Sequence, residues 1–135
     1  MASPWNALQL AAGGYAVTNR KSPGAVSAVG VDGELLRSYG PSSSSDVGPM
    51  KNPSGLAVTT HGDILVADTG NSRILAVNCS LKRALLVPIP ADIGLQEPCA
   101  LYLDDRRDRM YIGEGSGKYR VIVLNNASYI STETL

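Results

Sequence analysis

Short apolar runs punctuated by polar, Gly-containing turns dominate the chain. In its middle, residues 56–58, 64–67 and 73–77, apolar or β-branched apart from Arg73, predict three strands. Thr60-His61-Gly62-Asp63 and Asp68-Thr69-Gly70-Asn71-Ser72 have the composition of the tight turns between them, and Pro53-Ser54-Gly55 reads as the turn that opens the first. The run 64–67 lacks polar alternation, which predicts a strand buried on both faces. Residues 82–87 form a fourth run, closed by Pro88 and Pro90, and proline suits an outer strand. Upstream, residues 5–10, 15–19, 25–29 and 35–39 read as four strands, with Asp32-Gly33 as the strongest hairpin signal. Downstream, residues 100–103, 109–113, 120–124 and 128–131 repeat the rhythm. No segment holds a helical period over a useful length, so helix content is expected near zero.

The quartets recur at fixed spacing. Pro4, Pro53 and Pro98 begin three copies, giving periods of 49 and then 45 residues. A repeat of that size made of short strands predicts an all-β fold, a radial β-propeller of three four-stranded blades. The blades are assigned to residues 1–48, 49–92 and 93–135.

The middle copy carries a pattern with a known relative. Pro53-x-Gly55-Leu56-x-Val58, followed by Gly62-Asp63-Ile64-Leu65-Val66-Ala67-Asp68-Thr69-Gly70-Asn71-x-Arg73-Ile74, resembles an NHL repeat almost position for position. The linker Asp32-Gly33-Glu34-Leu35-Leu36-Arg37-Ser38-Tyr39-Gly40 is similar to the stretch that closes one NHL blade before the next. The resemblance implies rings of about six blades, so this chain is expected to be half of one. The remaining blades are expected from a longer parent chain rather than from a second copy. The blade linker and the Asp-Thr-Gly-Asn turn also look like the C-terminal propellers of tripartite-motif proteins, which implies recognition of substrate proteins for ubiquitin transfer, or of RNA.

Asp68 and Arg73 flank a tight turn, where a guanidinium fork facing a carboxylate can fix the hairpin. In the third copy the pair becomes Glu114 and Arg120 with one more residue between them, and in the first it is absent. These four residues are read as structural.

Composition narrows the function. The chain is 44% hydrophobic, yet no apolar run is long enough to span a bilayer. Twelve basic and twelve acidic residues cancel, which argues against non-specific polyanion binding. The first residues lack the pattern of a signal peptide, so a cytoplasmic location is expected, with Cys79 and Cys99 as free thiols.

Catalytic constellations are not evident. His61 is the only histidine and sits in a turn, so no triad or metal site can be completed from it; no cofactor and no metal are expected. The run 104–109 reads as an exposed charged hairpin. The Gly-rich stretch 113–118 is followed by a strand, not by the helix that a phosphate loop requires. The alternative, a propeller enzyme of the lactonase or amidating-lyase kind using a bound metal, would need ligands around the central channel.

Loops on a rigid scaffold are the better candidate. In a four-stranded blade the turn between strands two and three emerges on the same face as the connection to the next blade. That face collects Arg20, Lys21, the 41–51 loop with Lys51, Asn71, Lys118 and Tyr119, and it is expected to bind a protein. RNA is the weaker branch, with Tyr119 as a stacking ring.

Overall fold

The structure, a computed structural model, describes residues 4–11, 13–20, 24–40, 47–104 and 106–123. Among these residues eleven strands form three antiparallel sheets, each with its strands in chain order. The first holds β1 (Pro4–Gln9), β2 (Tyr15–Asn19), β3 (Ala25–Val29) and β4 (Leu35–Tyr39). The second holds β5 (Pro53–Val58), β6 (Ile64–Asp68), β7 (Arg73–Val77) and β8 (Ala84–Leu86). The third holds β9 (Pro98–Asp104), β10 (Arg109–Glu114) and β11 (Tyr119–Val123). The fourth strand expected over residues 128–131 lies outside the described residues. Helix is confined, among the described residues, to single 3-10 turns at Thr69–Asn71 and Ala91–Ile93.

The sheets stack as blades with β5 between β1 and β9. Alternation along each strand divides the core in two. Leu56, Ile64, Val66, Leu75 and Val77 of blade 2 pack with Ala16, Val26, Ala28 and Tyr39 of blade 1. Ala57, Leu65, Ala67, Ile74 and Ala76 turn the other way, toward Met110, Ile112 and Ile122 of blade 3. This explains the unbroken apolar run in β6: both faces of blade 2 are covered, so neither has a reason to be polar.

Two sequence expectations need correction. Pro53-Ser54-Gly55 is not a turn but the start of β5, and the register slips between Pro53 and Leu56 to admit it. Such a bulge tolerates the missing proline N–H. The outer strand is also shorter than residues 82–87, because Asn78 Oδ1 accepts from the Lys82 and Arg83 N–H groups and holds those residues in a turn. Glycine permits the close stacking. A Cβ on Gly55 would stand 2.7 Å from the Cys99 carbonyl oxygen, and one on Gly24 would collide with the Pro53 ring.

A polar seam ties the blades near their inner strands. The buried Thr18 hydroxyl donates to the Ser54 carbonyl at 2.8 Å. Thr69 donates to the Pro98 carbonyl at 2.7 Å, its oxygen lies 2.6 Å from the Ser54 hydroxyl oxygen, and Ser54 Oγ is 3.2 Å from the Cys99 carbonyl that it can donate to.

The two-sided packing of blade 2 predicts where truncation hurts. Leu75→Ala, at a wholly buried site, should cost about 3 kcal/mol. Leu36→Ala, at an exposed one, should stay within about 0.5 kcal/mol. Urea midpoints of the two variants check the contrast.

Candidate functional site

The loop face is built around one carboxylate. Asp68 ends β6 with no solvent exposure, and its two oxygens take three donors. Oδ1 accepts the Lys51 N–H at 2.7 Å; Oδ2 accepts Arg73 Nε at 2.7 Å and Asn71 Nδ2 at 2.9 Å. Arg73 and Asn71 then reach back to the inter-blade connection. Arg73 Nη1 donates to the Val47 carbonyl at 2.6 Å, and Asn71 Nδ2 to the Pro49 carbonyl at 3.1 Å. The Gly70 N–H closes the circuit on the Lys51 carbonyl at 2.7 Å. Charged donors and acceptors make such bonds about twice as strong as neutral ones. Thus Asp68 does more than staple its own hairpin: it fastens the connection entering blade 2 to the turn between β6 and β7.

Blade 3 repeats the device with a longer acid. Glu114 is buried, and its Oε2 accepts the Gln96 N–H at 2.8 Å while Gly115 N–H donates to the Glu97 carbonyl at 2.9 Å. Arg120 Nε lies 3.4 Å from Glu114 Oε1, close enough for an ion pair but not aligned as a hydrogen bond.

Comparison with known proteins follows the same lines. The NHL repeat family matches over residues 50–76, the span that runs from the connection through Asp68 and Arg73. Residues 50–76 form an NHL repeat. No curated protein matches the sequence. In fold the chain is similar to virginiamycin B lyase from Staphylococcus aureus, at 14% identity and a TM-score of 0.62, covering 90% of this chain and 41% of that one. A catalytically inactive form of that lyase with quinupristin gives 0.60 at 14% identity, over 93% and 43%. A protein of unknown function from Bacteroides caccae gives 0.54 at 13% identity, over 90% and 46%. At these identities the likeness shows the fold alone. The chain spans less than half the length of these proteins, and its fold is a partial β-propeller.

Around the NHL repeat, the candidate partner residues divide. Asn71 is occupied by Asp68 and Pro49, so it shapes the loop instead of waiting for a ligand. Lys51 gives its backbone to Asp68, while its stem covers Gly70 and the residue stays exposed. Lys118 and Tyr119 are exposed at the edge of blade 3. Arg20 lies with its guanidinium 4.2 Å from the Trp5 ring centroid, a cation–π stack that no local spacing announces. Lys21 lies outside the described residues, as does most of the serine-rich loop.

The opposite face holds features that the turn pattern does not reveal. A cavity of about 350 Å³ between blades 1 and 2 is lined by Leu10, Arg37, Val58, Thr59, His61 and Cys79, with Arg37 donating to the Cys79 carbonyl. Among the described residues no group of three metal-ligating side chains occurs. Nor is any helix long and apolar enough to cross a membrane. Asp63, at the turn between β5 and β6, is wholly buried, and neither carboxylate oxygen finds a hydrogen-bond partner among the described residues. Burial pushes its carboxyl above the ordinary 3.8, and the nearby His61 charge opposes that shift.

Both carboxylates can be tested by substitution. Asp68→Ala strands three donors and should cost about 3 kcal/mol, whereas Asp68→Asn, which keeps an acceptor, should cost about half as much by urea unfolding. For Asp63 the folded carboxyl binds its proton more tightly than the unfolded one. Its stabilising neutral form is therefore complete below the unfolded pKa and lost as pH rises through the raised folded value. Asp63→Asn should melt higher than the parent at neutral pH, with the gain shrinking toward pH ~4; a gain that is flat with pH contradicts this.

Proposed function

We propose that the chain is a non-catalytic interaction module whose loop face docks an acidic segment of a protein partner. One observation carries this reading: the two acids paired in the turns of that face, Asp68 and Glu114, point inward with their arginines above them. Glu97 is the exposed acid beside the second pair. Asp68 and Glu114 are buried, whereas the side chains of Arg73 and Arg120 are 21% and 33% exposed above them. Lys51 and Lys118 are exposed beside them. In a protein with equal numbers of acidic and basic residues, Lys51 and Lys118 thereby add exposed positive charge beside turns whose arginines are matched by Asp68 and Glu114. The Asp68 network adds preorganisation. Because the connection is fastened before any partner arrives, little loop entropy is lost on binding.

The backbone carbonyls of Val47 and Pro49 are spent on Arg73 and Asn71, so partner contacts fall to the exposed cations and not to the turn itself. Such contacts steer association more than they deepen affinity. RNA remains the weaker branch. Tyr119 offers a stacking ring at one edge only, whereas strand recognition calls for a charged track with several rings along it.

The test is a titration of the purified chain with a fluorescent polyglutamate peptide and, separately, with a single-stranded RNA of equal length. The peptide should bind more tightly at low salt. The double variant Lys51→Glu, Lys118→Glu should weaken it about tenfold, by summing two exposed-charge contributions. Failure of the peptide to bind, or equal binding by the variant, overturns the reading. Tighter RNA binding that the same variant abolishes transfers the surface to nucleic acid.

A further inference from the structure

The cavity of about 350 Å³ between blades 1 and 2 opens on the face opposite the Asp68 network. Both blades that wall it have all four strands among the described residues. Its apolar side is Leu10, just after β1, Val58 at the end of β5, and Ile64 at the start of β6. A volume of this size sits at the small end of the range for ligand sites.

The polar side carries donors and no carboxylate. Arg37 stands opposite Ala28 in the β3–β4 pairing, and Ala28 packs in the core that the two blades share. The Arg37 side chain crosses to blade 2, where Nε and Nη2 donate to the Cys79 carbonyl at 3.2 and 3.0 Å. Arg73, Arg107 and Arg120 each face a carboxylate within 3.4 Å. Arg37 meets only this neutral oxygen among the described residues, so its charge stays unbalanced and Nη1 has no acceptor. Thr59 is 6% exposed, and its Oγ1 accepts the His61 N–H at 3.3 Å and the Asp63 N–H at 3.1 Å. The hydroxyl proton is left to donate, and no described residue accepts it. Asp63, in the same turn, is not among the cavity walls, and burial disfavours its charged form.

We propose that this cavity binds a small organic monocarboxylate, its carboxylate held by Arg37 and Thr59 and its apolar body against Leu10, Val58 and Ile64. A guanidinium without a carboxylate partner calls for an anion, and Nη1 offers it a charge-assisted hydrogen bond. A buried hydroxyl with a proton to give completes the pairing of the second oxygen. The apolar wall selects the rest of the ligand. Phosphates and other polyanions would turn charged oxygens against Leu10 and Val58 with nothing to pair them. The site lies away from the loop face and does not rest on what that face binds.

The experiment is calorimetric titration of the purified chain with hexanoate and, separately, with hexanamide, which keeps the body and removes the charge. Hexanoate should bind, and hexanamide should bind about tenfold more weakly. Cys79 gives a second readout, because it lines the cavity as an exposed free thiol while Cys99 lies elsewhere. Saturating hexanoate should slow alkylation of Cys79 by iodoacetamide and leave that of Cys99 unchanged. Arg37→Gln should weaken hexanoate about tenfold. Ala11→Phe, at an exposed position on the cavity wall, should block it with Arg37 still in place. Should Arg37→Gln unfold, Ala11→Phe decides. The double variant Lys51→Glu, Lys118→Glu should bind hexanoate as the parent does, which separates this outcome from that of the loop-face test. No saturation by hexanoate at millimolar concentration, equal binding of hexanamide, unaltered alkylation of Cys79, or undiminished binding by a folded Arg37→Gln overturns the proposal.

Discussion

Apolar contact between neighbouring sheets, at a separation that only small residues allow along the inner strands, is what the rest of the molecule depends on. Gly55 faces the Cys99 carbonyl with no room for a side chain, and Gly24 does the same against Pro53. That proximity lets alternating residues of β6 and β7 fill two cores at once. It also brings Thr18, Ser54 and Thr69 within reach of carbonyls on the next blade. Registry between blades is then set by hydrogen bonds, and cohesion by burial. Slipping any strand by one residue would exchange the two cores and expose both.

Two aspartates show how differently one residue type can be used at equal burial. Asp68 and Asp63 are both fully removed from solvent. Asp68 gathers a backbone amide, an amide side chain and a guanidinium, so its charge organises the loop face. Asp63 gathers nothing among the described residues, and burial disfavours its charged form. The first is an architectural anion. The second is a local weakness that the two flanking cores outweigh.

Much of the fold is legible in the sequence because its signals are local. Alternation and turn residues place β2, β3 and β7 at the residues where they occur. The Asp68–Arg73 pairing also spans a single hairpin, so spacing suffices to read it. What spacing cannot convey is contact between distant residues. The Lys51 amide reaches Asp68 across 17 positions, and Thr18 reaches Ser54 across 36. Asn71 reads as available for a partner because its two acceptors, one on a neighbouring loop, cannot be inferred from the turn. Pro53-Ser54-Gly55 misleads for a related reason. Proline and glycine announce a turn locally, but here they serve a bulged inner strand whose tight neighbours lie in other copies of the repeat.

The fastening around Asp68 has a bearing on how such chains grow. Every group in it, from Val47 to Arg73, comes from one continuous segment. A gene segment duplicated with that span would arrive with its latch complete and would ask nothing of older neighbours beyond an apolar face. Glu114, with its own connection and its own arginine, is the same latch in blade 3 with a longer acid, one extra residue and a looser grip.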